Sequence, residues 1–158
     1  MTATKNTATN RSAARKSATV WTEEERAAMQ ESARERKAAS RRGSGDERAE
    51  GELEVRAKIA DMPTADRVMA ERIHELVTTA APSFVPRTYY GMPAYARDGK
   101  VICFFQSKAK FKVRYSTLGF QPDASLDDQE MWPVAFAVTS LTPAGEKRIA
   151  DLVKKAAG

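Results

Sequence analysis

The most distinctive chemistry-bearing stretch of this sequence is residues 89–95, YYGMPAY. A glycine and a proline two positions apart predict a bulge or kink in an extended segment, and such breaks often re-aim side chains near a site. Tyrosine combines an apolar ring with a hydroxyl group, which suits the lining of a groove. Packing around a bent strand would explain the same residues without any ligand. The candidate binding residues of this stretch are Tyr89, Tyr90, Met92 and Tyr95.

A second candidate is a row of cations at alternate positions, Lys110, Lys112 and Arg114. The alternation predicts a strand over residues 110–116 with its apolar side chains inward and these cations outward. Single-strand nucleic-acid binders combine such a stripe with stacking rings, but cations on the solvent side of a strand also protect a sheet edge. The net charge of +5 is spread along the chain and forms no dense basic patch. Nucleic acid is therefore not the expected partner, and we expect an unknown protein or a small ligand.

Four acidic residues lie close together before the last predicted strand: Asp123, Asp127, Asp128 and Glu130. Hard cations, iron among them, accept such oxygen ligands. The spacing is not that of an EF-hand, because Asp128 stands where the sharp turn needs glycine. Ser125, with Asp128 three residues later, could equally cap one helical turn. A metal site and a solvated acidic loop both remain open.

Residue types that commonly carry catalysis are scarce. Cys103 lies in an apolar run, where a thiol is usually inert, and His74 falls with the polar side of its predicted helix. The chain has no glycine-rich phosphate loop, nucleophile elbow or H-E-x-x-H element. No catalytic residue is therefore assigned, no cofactor is expected apart from iron in the metal hypothesis, and enzymatic activity is uncertain and not favoured.

The cysteine count and hydropathy bear on the compartment. One cysteine cannot form an intramolecular disulfide, and the first residues contain no signal-type apolar stretch. No run approaches the roughly 18 apolar residues that a membrane span needs. We expect a cytoplasmic protein without a membrane segment.

The elements that would position these residues are helices followed by antiparallel strands and a last helix. Helices are predicted over residues 53–60 and 64–80, the second capped by Thr64. A hairpin turn is predicted at Asp98-Gly99, and Thr142-Pro143 opens the final helix. The fold class is α+β, with a small antiparallel sheet of four to five strands packed with N-terminal and C-terminal helices.

The N-terminal third has few large apolar residues. We divide the chain into a disordered basic arm (1–21), a charged helix (22–42), a linker (43–51) and a folded domain (52–158). Thr22 and Glu25 form a capping-box pattern, but the helix lacks an apolar stripe and is expected to be solvated, with Trp21 and Met29 as its only anchors. Residues 1–51 are therefore expected to be dispensable for folding.

The motif GMPAY, followed by Asp98-Gly99-Lys100 and the apolar run 101–105, resembles the YdhG-like bacterial family, whose members chiefly carry a domain of unknown function. Residues 136–142 and the last helix extend the resemblance over about residues 53–157. It implies an α-β-α arrangement with a small curved sheet, similar to secretion chaperones, and some members have been described as frataxin-like iron chaperones. Many members carry a histidine after the second strand where this chain has Lys110-Phe111, which argues against a histidine-dependent metal role.

Two functions follow as hypotheses. The first is a non-enzymatic binding or chaperone-like module that uses the sheet surface and the GMPAY bend. The second is a frataxin-like iron-binding chaperone that uses the acidic loop, which rests mainly on family analogy.

Overall fold

The structure is a computed structural model that describes residues 20–41 and 47–158. Its elements, in chain order, are α1 (Glu23–Ala39), α2 (Glu47–Ala60), α3 (Thr64–Ala80), β1 (Val85–Tyr89), β2 (Met92–Arg97), β3 (Lys100–Gln106), α4 (Lys108–Phe111), β4 (Ser116–Phe120), β5 (Ala135–Val138) and α5 (Pro143–Ala157). The expected basic arm lies almost wholly outside the described residues. Among those residues, no helix is long and apolar enough to cross a membrane.

The five strands form one antiparallel sheet in the order β1-β2-β3-β4-β5, so each strand pairs with its neighbours in sequence. The predicted α+β class is confirmed, and the number of strands is at the upper end of the predicted four to five. The predicted turn between β2 and β3 is also confirmed, because Asp98 and Gly99 both have positive φ, at 52° and 77°. The first two connections are two-residue turns, whereas the β3–β4 connection contains α4 and residues 121–134 join β4 to β5.

One face of the sheet is covered by α2, α3 and α5. Tyr95 and Cys103 are directly opposite on β2 and β3, and both lie in the hydrophobic core. The helices contribute side chains such as Val55, Ile73 and Val153, each 0% exposed. We call this the core face. Thr142 caps α5 as predicted, since its Oγ1 accepts a hydrogen bond from the Gly145 amide, and Pro143 stands in the first turn. Thr64, in contrast, is the first residue of α3 and does not cap it.

The opposite face of the sheet follows from the strand register. Arg87, Ala94, Phe104, Gly119 and Ala135 are successive Cα partners across β1 to β5. Because neighbouring side chains along a strand point to opposite faces, this row points away from Tyr95 and Cys103. We call it the second face.

Helix α2 begins earlier than expected. Residues 47–51, assigned to the linker by the sequence, form its first turns, while residues 43–46 lie outside the described part of the chain. Gly51 is buried, and a Cβ on it would lie 1.9 Å from the Pro86 carbonyl oxygen. Arg48 donates hydrogen bonds to the carbonyl oxygens of Phe84 (3.0 Å) and Pro82 (3.1 Å). These contacts argue against the expectation that residues 1–51 are dispensable for folding, at least at their C-terminal end.

Residues 110–115 do not form the predicted strand. Ser107 Oγ accepts a hydrogen bond from the Lys110 amide and begins the short helix α4, which ends where Lys112 adopts φ 52°. The alternation of cations and apolar residues predicted a strand, and this prediction is wrong. Helix capping by Ser107 stabilises a helical turn here instead of the extended conformation. Strand β4 then begins at Ser116.

Helix α1 is confirmed with its capping box: the Thr22 amide donates to Glu25 (2.8 Å) and the Glu25 amide donates to Thr22 Oγ1 (3.1 Å). The sequence suggested a solvated helix, but α1 packs against the rest of the chain. Ala28 and Ser32 are buried, and Glu35 is hydrogen-bonded to the β1–β2 turn. Trp21 and Met29, the expected anchors, are instead 48% and 36% exposed.

Candidate functional site

The GMPAY stretch forms a tight turn and the strand that follows it. Tyr90 and Gly91 connect β1 to β2, with φ values of 51° and 74°. Positive φ at both central residues is the signature of a type I′ hairpin turn, which matches the twist of its strands. The predicted kink within a first strand is therefore wrong. Tyr90 and Gly91 lie between β1 and β2, and the turn places Tyr90 at the rim of the sheet.

Three aromatic rings gather near this turn. The rings of Tyr89 and Tyr90 meet edge to face at 4.7 Å, and Tyr89 lies 5.8 Å from Phe104 on the second face. Gly119 makes room for Phe104, because a Cβ there would lie 2.3 Å from the end of that ring. Burial, and to a lesser degree Tyr90, raises the pKa of Tyr89 above its usual value. Its hydroxyl group therefore stays protonated at neutral pH and can donate a hydrogen bond.

A cleft of about 400 Å³ opens beside these rings, between α1 and the sheet; we call it the tyrosine cleft. Helix α1 supplies one wall and β1 supplies Arg87 and Tyr89. The lining residues are Ser32, Glu35, Arg36, Arg87, Tyr89, Tyr90, Lys100, Val101, Gln121, Pro122 and Asp123. Two residues of the candidate set, Tyr89 and Tyr90, are thus brought together in a concave site.

The charged side chains that line the tyrosine cleft differ in how closely they are paired. Of its two carboxylates, Glu35 accepts from the amides of Tyr90 (2.9 Å) and Gly91 (2.8 Å), and Asp123 pairs with Lys100 at 3.3 Å. Arg87 has one long hydrogen bond, 3.4 Å, to the Gly99 carbonyl oxygen. The cations Arg36, Arg87 and Lys100 outnumber the carboxylates, so the cleft favours an anion.

Two other candidates of the GMPAY stretch cannot line an open groove. Tyr95 is 0% exposed on the core face, and Met92 is 6% exposed. Their positions follow from the turn: once Tyr90 and Gly91 form the hairpin, Tyr95 faces the helices that cover the sheet. Sequence alone does not show which face is covered.

The three predicted cations are separated by the fold. Lys110 Nζ lies 3.4 Å from Glu31 of α1, and Lys112 pairs with Glu24 of the same helix. Arg114 lies 5.2 Å over the Tyr115 ring. They do not form the outer stripe of a strand, because no strand exists there. Two of them instead hold α1.

The acidic loop is tied to the core. Ala124 and Leu126 are buried, and the Ser125 amide donates to the Ala156 carbonyl oxygen at 3.0 Å. Asp127, Asp128 and Glu130 are exposed, and residues 125–128 form no helical turn. Among the described residues, no three His, Cys, Asp or Glu side chains are close enough to hold a metal ion. The hypothesis of an iron site formed by Asp123 and these three acids is therefore not supported by the geometry.

His74 is the residue that sequence reasoning misplaced most clearly. It is buried, with Nδ1 3.0 Å from the Tyr95 hydroxyl and Nε2 2.9 Å from Glu52 Oε1. It therefore links α2, α3 and β2 through one imidazole. The signal was present in the spacing of Ala70, Ile73, His74 and Val77, which follows the helical i, i+3, i+4, i+7 pattern.

This series of hydrogen-bonded side chains, Tyr95, His74 and Glu52, has a structural role rather than a catalytic one in the conformation described. Tyr95 and His74 are almost fully enclosed, so a substrate cannot reach them without opening the core. Burial raises the pKa of the neighbouring Cys103 thiol to about 12, as expected for an inert cysteine. Every buried polar side-chain atom among the described residues has a hydrogen-bond partner.

No family model, curated protein or solved structure matches this chain. The resemblance to the YdhG-like family consequently rests on the sequence motifs alone.

Proposed function

We propose that the protein is a non-enzymatic binding module whose ligand site is the tyrosine cleft. The observation that carries the proposal is the convergence of two tyrosine rings and three cations on one concave surface between α1 and the sheet. Its volume of about 400 Å³ falls within the range of small-molecule sites, about 300–1,000 Å³. The ligand class that fits is an anion carrying a planar apolar group.

The chemistry of the lining supports binding rather than catalysis. A planar group can stack on Tyr89 or Tyr90, and the protonated Tyr89 hydroxyl can donate to an acceptor. Arg87 offers a guanidinium group for a carboxylate or a sulfonate. Both carboxylates of the lining are already held by donors, so neither is placed to act as a general base.

The test uses anilinonaphthalene sulfonate, a planar aromatic anion whose fluorescence rises on binding. The full chain is titrated with the probe, alongside Tyr90→Ala and Arg87→Gln. Tyr115→Ala and Arg114→Gln are the matched controls, because this partly buried ring and exposed guanidinium stack on each other and do not line the cleft. We expect each cleft variant to weaken binding about tenfold, as the loss of one stacking or charged contact implies, and the controls to leave it unchanged.

Two results would refute the proposal: no saturable probe binding by the wild-type chain, or binding that Tyr90→Ala and Arg87→Gln leave intact. Circular dichroism of each variant establishes that the fold is retained. Arg114 belonged to the binding surface expected from sequence, so its control also decides between that surface and the cleft.

A further inference from the structure

Three carboxylates of helix α1 contact the rest of the chain. Glu35 accepts from the two turn amides, Glu31 lies 3.2 Å from Lys58 Nζ and 3.4 Å from Lys110 Nζ, and Glu24 pairs with Lys112. We call the surface that receives α1 the helix cradle. It consists of Lys58, Lys110, Lys112 and the backbone amides of Tyr90 and Gly91.

The three acids recur at spacings that place them on one side of α1. Glu24, Glu31 and Glu35 are seven and four residues apart, which are near-whole numbers of helical turns. The buried residues Ala28 and Ser32 lie between them on the same side. Small residues there allow the helix backbone to approach, so the cradle selects a helix by its charges and not by large apolar side chains.

The turn amides make this selection more specific than a row of lysines could. Both donors of a type I′ turn point away from the sheet and meet the two oxygens of the single Glu35 carboxylate. Gly91 is needed for its positive φ and for the close approach of Glu31, whose Oε2 would lie 1.5 Å from a Cβ there. The turn is thus shaped to receive a helix that presents carboxylates.

The interface between α1 and the rest of the chain is loosely packed. Clefts of about 270, 330 and 400 Å³ are each lined by residues of α1 together with other parts of the chain. The larger apolar side chains at its start, Val20 and Trp21, are exposed by 83% and 48%. Native interiors are close-packed, so these gaps and the polar contacts mark an interface that can open without disturbing the core.

We propose that the helix cradle is a binding site for an acidic helix of a partner protein, and that α1 occupies it as an intramolecular stand-in. The partner helix presents carboxylates at positions i, i+7 and i+11, with small residues at i+4 and i+8. Charge complementarity identifies this occupant, because the cradle offers three ammonium groups and two amide donors to a carboxylate-bearing face. Displacing α1 would also remove one wall of the tyrosine cleft, but the cradle binds a helix whether or not that cleft binds a ligand.

The resident helix competes with any partner. A segment tethered by a short connection has an effective concentration on the order of millimolar, so a helix in trans binds the wild-type chain weakly unless α1 is released. Glu31→Lys places an ammonium group against Lys58 and Lys110, and Glu35→Lys places one against the amide donors of Tyr90 and Gly91, so the two changes together release α1. The chain carrying Glu31→Lys and Glu35→Lys is therefore the opened form.

The experiment measures fluorescence anisotropy with a labelled synthetic peptide of residues 20–41 as the probe. The opened full chain should bind it saturably and at least tenfold more tightly than the wild-type chain does. Affinity should fall as salt is raised, because the contacts are between partly exposed charges. Adding Lys58→Gln and Lys110→Gln to the opened chain should abolish binding.

Two controls isolate the acids and the charge change. A peptide with Glu31→Gln and Glu35→Gln should not bind, and Gln30→Lys with Ala33→Lys in the full chain, which also adds two ammonium groups but at exposed positions of the same helix, should leave the chain closed. The proposal is overturned if the opened chain shows no saturable binding, if the Gln peptide binds equally, or if the wild-type chain binds as tightly as the opened one. It is also overturned if sedimentation shows the wild-type chain dimerising through exchanged α1 helices, because the occupant would then be a second copy.

Discussion

Replacing Gly51 with alanine is a direct test of how α2 packs on the sheet. In an isolated helix this change stabilises by about 1 kcal/mol, because glycine is a poor helix former. In the folded chain, however, the new Cβ would lie 1.9 Å from the Pro86 carbonyl oxygen and 3.0 Å from its carbonyl carbon. The two considerations predict opposite signs, so the measured sign decides between them.

The size of the effect follows from the distance. Reaching an ordinary contact of 3.4 Å requires α2 and β1 to separate locally by about 1.5 Å. Overpacking that moves backbone costs about 1–3 kcal/mol, and the upper end applies because a carbonyl group cannot rotate away as a side chain does. After the gain in helix propensity, we expect a net loss of about 2 kcal/mol in the free energy of unfolding. For a domain of this size that lowers Tm by about 8 °C.

Urea unfolding followed by circular dichroism measures the change, with thermal melting as a second readout. Ala57→Gly is the control: it lies on the exposed side of the same helix and should lose about 1 kcal/mol through helix propensity alone. If Gly51→Ala raises the stability while Ala57→Gly lowers it, helix propensity governs both positions. The close approach of α2 to Pro86 would then be refuted.

Two further predictions concern the buried chain of polar groups. Burial alone would raise the pKa of Glu52, but His74 and Arg56 outweigh it and hold that pKa below its usual value; the stability it contributes should therefore be full above the unfolded value of about 4.3 and be lost as pH falls through the lower folded value. Unfolding curves across this range should show Glu52→Gln with a shallower acid loss than wild type, and equal slopes would contradict the role given to Glu52. Cys103, with a pKa near 12 and no exposure, should react with a thiol reagent only when the chain is unfolded, and rapid labelling of the native chain would disprove its burial.

The features that sequence determined are those set by neighbouring residues. The Thr22–Glu25 capping box, the Asp98-Gly99 turn and the Thr142-Pro143 helix start all depend on residues at most three positions apart. Local sterics and local hydrogen bonds decide such structures, so their signals are complete in a short window. The α+β class followed from these elements and from their order.

The tertiary structure decided which faces are covered. His74 lies on a helix whose side chains are partly polar on both candidate faces, and only the packing of α2 and β2 shows that its imidazole is enclosed between Glu52 and Tyr95. The prediction that Tyr95 lines a groove failed for the same reason, because the sequence does not show which face of β2 the helices cover. Burial depends on contacts between elements far apart in the chain, which local composition does not specify.

The position of α1 shows this limit most clearly. Its composition indicates a solvated helix, since it lacks an apolar stripe. Its contacts are instead made by Glu35 with turn amides 55 and 56 positions away and by Glu31 with Lys110, 79 positions away. Carboxylates on a helix look alike in sequence whether they face solvent or two backbone donors. Only the fold, which brings the β1–β2 turn and α4 to the same place, gives these acids their partners.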